Sequence, residues 1–171
     1  GYSFGGVLAQ AMTAELLRRG EEVSWLGIMD AYPAGAGPRP AESAGTPELT
    51  ATQIAAVAGV PDIDDLPGGA EAAEMVARTL GTNLAYCDGL LRTATPVDLT
   101  GFGGETQLIV ATKADDRVAD LHGLRDWDPA TAWAGVLPRT PRTLTLDLTH
   151  AGLATDAGWD AITPAILEGL Q

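Results

Sequence analysis

Three residues of this 171-residue chain have the types that hydroxyl-based acyl chemistry needs: Ser3, Asp30 and His150. Ser3 lies in Gly1-Tyr2-Ser3-Phe4-Gly5-Gly6, a G-x-S-x-G pattern. A sharp strand-to-helix turn at such a serine strains its backbone and leaves the hydroxyl standing free. Side chains two before and two after would collide with the neighbouring strand and helix, so Gly1 and Gly5 carry none. The N–H of Phe4, at the helix start, would point at an oxyanion developing on a carbonyl under attack. The pattern alone is weakly specific, because a Gly/Ser turn before any helix reads the same way.

A serine hydroxyl needs a base, and histidine is the side chain that takes and returns a proton near neutral pH. The chain has two histidines. His122 lies in the polar stretch VADLHGLRD with no strand before it and reads as surface, whereas His150 follows an alternating stretch. An acid holding the imidazole tautomer completes the set. Asp30 ends one apolar stretch, and Asp115 and Asp116 follow another, so strand logic alone does not choose among them. Each candidate also has a plain structural reading. A histidine after a strand can be a loop residue, and an aspartate there can cap a helix, although Tyr32-Pro33 beyond Asp30 suits a loop better. No Cys/His cluster has metal spacing, and Gly101, Gly103 and Gly104 lack the following G-K-[ST] of a phosphate loop, so neither metal nor bound cofactor is expected. Trp25, Trp127, Trp133 and Trp159 are expected in the core.

The elements that must hold these residues are legible from periodicity. Phe4 to Arg19 has helical spacing, with Phe4, Val7, Leu8 and Ala11 expected to face a sheet and Gly20 ending the helix. Val23–Met29 reads as a buried strand, as does Gln107–Thr112, and Leu144, Leu146 and Leu148 alternate as a last strand delivering Thr149-His150. Strand, elbow, helix, strand is the rhythm of a mostly parallel α/β sheet with flanking helices. A Gly/Pro/Ala linker spans 34–46, and helical stretches follow at 50–58 and 70–93, the latter with an expected break at Gly81. This excursion, residues 34–100, is expected to be an inserted helical lid. Asp128 and Pro129 suit the N-cap and first turn of a short helix reaching Trp133, and residues 160–170 close as a helix with Ile162, Ile166, Leu167 and Leu170 on one face. An elbow needs a strand before it, so residues 1–171 are expected to be the C-terminal part of one domain whose earlier strands are missing.

Composition narrows the class. Hydrophobic residues at 46% suit a packed core rather than a disordered chain. A net charge of −13 repels phosphate backbones, so nucleic acid is not an expected partner. No apolar run approaches the roughly 18 residues of a membrane helix. Cys87 is the only cysteine, which fits a reducing, cytoplasmic setting.

GYSFGG, then LLRRGEEVSWLGIMDAYP, then a late Thr-His before an amphipathic helix, together resemble the type I thioesterase domain that ends nonribosomal peptide synthetases, with the enterobactin-type termination domains nearest. The likeness is specific over 1–33, good around His150 and vague across 34–100. It implies an α/β-hydrolase fold and a Ser3–Asp30–His150 triad with Phe4 in the oxyanion hole. In that family the acid follows the strand after the elbow, which falls on Asp30, whereas most α/β-hydrolases place it one strand later. The resemblance also implies a peptidyl or acyl thioester on the phosphopantetheine of an upstream carrier domain, released by hydrolysis or macrocyclisation. A stand-alone editing (type II) thioesterase or other serine esterase is the alternative, although Tyr2 stands where editing enzymes more often carry histidine. An inactive hydrolase-fold interaction module is the second alternative, opposed by the intact Ser, Asp and His.

Overall fold

The three apolar or alternating stretches all form strands. The computed structural model describes residues 1–34, 50–58, 60–93, 97–113 and 128–170. In it the strands are β1 (Trp25–Met29), β2 (Glu105–Lys113) and β3 (Arg142–Thr149), parallel throughout and ordered β1-β2-β3. Ile28 stands opposite Leu108, and Ile109 opposite Leu144. A parallel bridge joins Tyr2 to Met29. Gly1 N bonds the Gly27 carbonyl at 2.6 Å, Met29 N–H donates to the Gly1 carbonyl at 2.8 Å, and Ser3 N–H donates to the Met29 carbonyl at 2.9 Å. The backbone at Gly1-Tyr2 therefore lies beside β1 as a further parallel neighbour. All the chain ends that matter for chemistry leave the sheet on one edge.

The helices of the described residues are α1 (Phe4–Arg18), α2 (Ala51–Ala58), α3 (Gly69–Thr93), α4 (Pro129–Ala134) and α5 (Asp156–Gly169). Gly1–Gly37, Ala94–Lys113 and Trp127–Gln171 form one compact unit, which holds the sheet. Pro38–Thr93 and Ala114–Asp126 form a second, in which α2 and α3 pack together around a short 3-10 turn at Ile63–Asp65. Alternation along the strands splits the sheet core in two. Leu26, Ile28 and Leu108 meet Phe102, Trp133 and Leu137 on the face that α1 and α4 cover. Ile109 meets Leu153 and Ile162 on the α5 face. Val97 packs against the first cluster and Leu99 belongs to it. No helix among the described residues is long and apolar enough to cross a membrane.

Several expectations are corrected. The inward face of α1 is Gly6, Gln10 and Thr13, whereas Leu8 is half-exposed and Ala11 exposed. Polar residues are tolerated inside where they find hydrogen-bond partners. Gln10 Oε1 accepts from Ala34 N–H at 2.7 Å, and Thr13 Oγ1 donates to the Ala9 carbonyl at 2.8 Å. Gln10 Nε2, by contrast, has no partner among the described residues. Of the two elbow glycines expected to avoid collisions, Gly1 fits, since a Cβ there would lie 2.0 Å from the Gly5 carbonyl oxygen. Gly5 does not, because a Cβ there meets nothing within 4 Å. The tightly packed position is Gly6, where a Cβ would lie 2.4 Å from that of Ala31. No break occurs at Gly81: α3 runs through it with Gly81 buried, so packing outweighs the roughly 1 kcal/mol that glycine costs a helix. Trp133 is fully buried, but Trp159, Leu167 and Leu170 are exposed on α5, where Ile162 alone of the expected apolar face is fully buried. Most of the 34–46 linker, together with Asp115, Asp116, His122 and Trp127, lies outside the described residues.

The Gly5/Gly6 contrast is testable. Gly6→Ala should lower unfolding free energy by about 2 kcal/mol through overpacking against Ala31. Gly5→Ala should not lower it, because alanine is the better helix former. Chemical denaturation midpoints of the two variants check the difference.

Candidate active site

Ser3 sits at the junction where the first parallel segment becomes α1. Its backbone has φ 53° and ψ −127°, a conformation that L-residues rarely adopt and that costs on the order of 1–3 kcal/mol. The turn is held from both sides: Ser3 N–H donates to Met29, and Gly6 N–H donates to the Ser3 carbonyl at 2.9 Å. Serine is a favoured helix cap, yet the Ser3 side chain makes no capping bond to α1. Phe4 is the first residue of that helix, so its N–H is among the donors a helix start leaves without an internal partner.

Asp30 directly follows β1 and is the other non-glycine residue of positive φ (46°) among the described residues. Its N–H extends the β1–β2 ladder by donating to the Ile109 carbonyl at 2.8 Å. The left-handed turn then lifts its carboxylate over the end of β2. Oδ1 accepts from Ala111 N–H at 3.1 Å, and Oδ2 lies 2.7 Å from His150 Nδ1. Both carboxylate oxygens are thus engaged, and the side chain is only 13% exposed. The next residue is pinned as well: Trp133 Nε1–H donates to the Ala31 carbonyl at 2.7 Å from the interior. That tether was not legible in sequence, which marks Trp133 only as apolar and large.

His150 leaves β3 into a 3-10 turn, Ala151–Ala154. Two features hold this turn. Thr149 Oγ1 accepts from Gly152 N–H at 3.1 Å, and Leu153 plugs the α5-side core at 1% exposure. The start of α5 packs close behind it, for a Cβ on Gly158 would lie 2.4 Å from the Gly152 carbonyl oxygen. A register shift between Ala111 and Lys113 bends the β2–β3 ladder just where it reaches this edge. A carboxylate accepts and does not donate, so in the neutral ring Nδ1 carries the proton and Nε2 keeps its lone pair. That is the tautomer of a general base.

Asp30 and His150 are therefore in contact, and Ser3 heads its helix on the neighbouring strand end. Tyr2 joins them, and sequence reasoning did not weigh it as a site residue. Its ring stacks on the His150 imidazole, with centroids 4.8 Å apart and planes at 25°. Its hydroxyl donates to the His150 carbonyl at 2.8 Å. Burial, and then the charge of Asp30, push the Tyr2 phenol up to about 12. The same two causes raise Tyr32. No group of three His, Cys, Asp or Glu among the described residues could hold a metal ion.

Known proteins resemble the chain at several ranges. Over 33 residues, 19% of its length, it is 58% identical to the vanchrobactin synthetase VabF of Vibrio anguillarum. Over a stretch of the same length it is 54% identical to enterobactin synthase component F of Escherichia coli K12. These matches span 1% and 3% of those two proteins. Among solved structures, the NocB thioesterase domain in covalent complex with a fluorophosphonate nocardicin G analogue superposes with a TM-score of 0.56 at 25% identity, covering 100% of this chain and 64% of that one. Human thioesterase 2 superposes with a TM-score of 0.61 at 16% identity, covering 99% of this chain and 70% of that one. The parallel sheet with helices on both faces is accordingly an α/β-hydrolase fold. A family model for the thioesterase domain matches residues 1–167, and the chain belongs to that family.

Proposed function

We propose that this domain releases a peptidyl or acyl chain from the phosphopantetheine thiol of a carrier domain through a Ser3-bound acyl-enzyme. The observation that carries the reading is the Asp30–His150 hydrogen bond, 2.7 Å long, on the sheet edge where strained Ser3 ends its own strand. His150 Nε2 takes the Ser3 proton as Oγ attacks the thioester carbonyl. Asp30 holds the imidazole and stabilises its cation. The Phe4 N–H donates to the oxyanion. Collapse of the tetrahedral intermediate breaks the carbon–sulfur bond, and the carrier thiol leaves with the proton from His150. Water, or a nucleophile within the acyl chain, then gives a proton to His150 as it attacks the ester, and His150 passes that proton to Ser3 Oγ as the ester bond breaks. The products are an acid in the first case and a lactone or lactam in the second.

The likeness to the two siderophore synthetases favours a chain-terminating role with an upstream carrier domain as partner. The domain itself binds no cofactor in this reading, because the phosphopantetheine arrives with the substrate. The excursion at 34–100 serves as the lid, a role supported by the separate compactness of its helical part.

Ser3→Ala should lower release from an acyl-loaded carrier by a factor on the order of 10³ or more and abolish fluorophosphonate labelling. Unchanged labelling in the alanine variant would move the nucleophile elsewhere.

Asp30→Asn should approach the same damage, on the order of 10⁴ in turnover, and Asp116→Asn should stay within a few-fold of the parent. Single-turnover release assays rank the two, and the reverse order would transfer the acid to the later strand.

If 34–100 is a lid, its amides should exchange faster than those of β1 and β2. Equal protection by mass spectrometry would make it a fixed subdomain.

A further inference from the structure

We infer that Tyr2 is a positioning residue for His150, and that its ring stabilises the imidazolium formed during acyl transfer; the inference rests on the Ser3–Asp30–His150 reading above. The need for such a residue follows from the sheet order. Parallel neighbours lie about 4.8 Å apart. The segment carrying Ser3 pairs with β1, and His150 follows β3, with β2 between them. Nucleophile and base therefore start from backbones about 14 Å apart across two intervening strands. Strand pairing sets that spacing, and side chains must close it. Two side chains do span the gap to His150. Asp30 reaches Nδ1 from the end of β1, and Tyr2 reaches both ring and backbone from the residue adjoining Ser3.

The two Tyr2 contacts do different things. The hydroxyl bond to the His150 carbonyl ties the start of the histidine turn to the nucleophile's own segment. Burial and Asp30 keep that phenol protonated, so it remains a donor over the whole range in which histidine titrates. The stacked ring presents its electron-rich face to the imidazole. Such a face attracts a cation more than a neutral ring. The contact thus strengthens as His150 takes the serine proton, which is when charge develops. Among the described residues, the titratable groups in contact with the His150 ring are Asp30 and Tyr2.

The test uses the full-length protein with p-nitrophenyl butyrate, following kcat and KM against pH. Tyr2→Phe keeps the ring and loses the tether, so kcat should fall about fivefold with KM and the acid limb unmoved. Tyr2→Leu loses both, so kcat should fall at least about tenfold, with the acid limb displaced to lower pH by about half a unit. The sign follows from removing a group that favours the protonated form. A leucine variant with the parent's kcat and acid limb overturns the inference. A fall in kcat with an unmoved limb reduces Tyr2 to packing and overturns it also. Should Tyr2→Leu fail to melt cooperatively, Tyr2→Phe decides, and a parental kcat there is the overturning result. Ser3→Ala runs alongside. If it retains turnover, the serine mechanism itself falls, an outcome distinguishable from failure of the Tyr2 role alone.

Discussion

Parallel pairing along one sheet edge is the constraint on which the rest of the structure depends. The bonds between Gly1, Ser3, Gly27 and Met29 fix the Ser3 segment to β1. The bond from Asp30 N–H to Ile109 fixes Asp30 to β2. Because the strands run the same way, Ser3, Asp30 and His150 all emerge where strands end. Each then turns out of the sheet by its own device. Ser3 uses a strained turn, Asp30 a left-handed residue, and His150 a 3-10 turn with a buried leucine. Pairing sets the rough spacing, and side-chain bonds correct it to contact distance.

How much of this was legible depended on whether a residue's neighbours were local in sequence. The strands read directly from apolar runs and alternation, and the Asp128 cap followed by Pro129 appears as the spacing implied, with Asp128 accepting from Ala130 N–H at 3.0 Å. The strain at Ser3 was readable because a glycine-flanked serine between strand and helix leaves the backbone few alternatives. The choice of Asp30 over Asp115 or Asp116 was not readable from strand logic. Asp30 meets a histidine 120 positions away, while Asp115 and Asp116 lie outside the described residues.

The failures have the same cause. Helical spacing marked Leu8 and Ala11 as inward and passed over Gln10 and Thr13, because periodicity ranks residues by hydrophobicity. The structure ranks them by fit and hydrogen bonding. Gly6 comes close to Ala31, and Gln10 reaches a backbone N–H at Ala34. Both partners lie just beyond β1, far in sequence from α1, where no local pattern points. Tyr2 escaped notice likewise, since its contacts are with the far end of the chain.

The seam between β1 and β2 closes before the chain departs. Asp30 bonds Ile109 and Ala111, Trp133 grips Ala31, and Gln10 holds Ala34. Only then does the backbone leave, to return through Val97 and Leu99 into the same core. Both anchorages of this long loop belong to the unit that holds the sheet. The entropic cost of such a loop grows only logarithmically with its length. Insertions, deletions or wholesale exchange of that segment are consequently cheap for the reacting groups. The sheet edge that carries Ser3, Asp30 and His150 and the segment between the anchorages can thus change in sequence at independent rates.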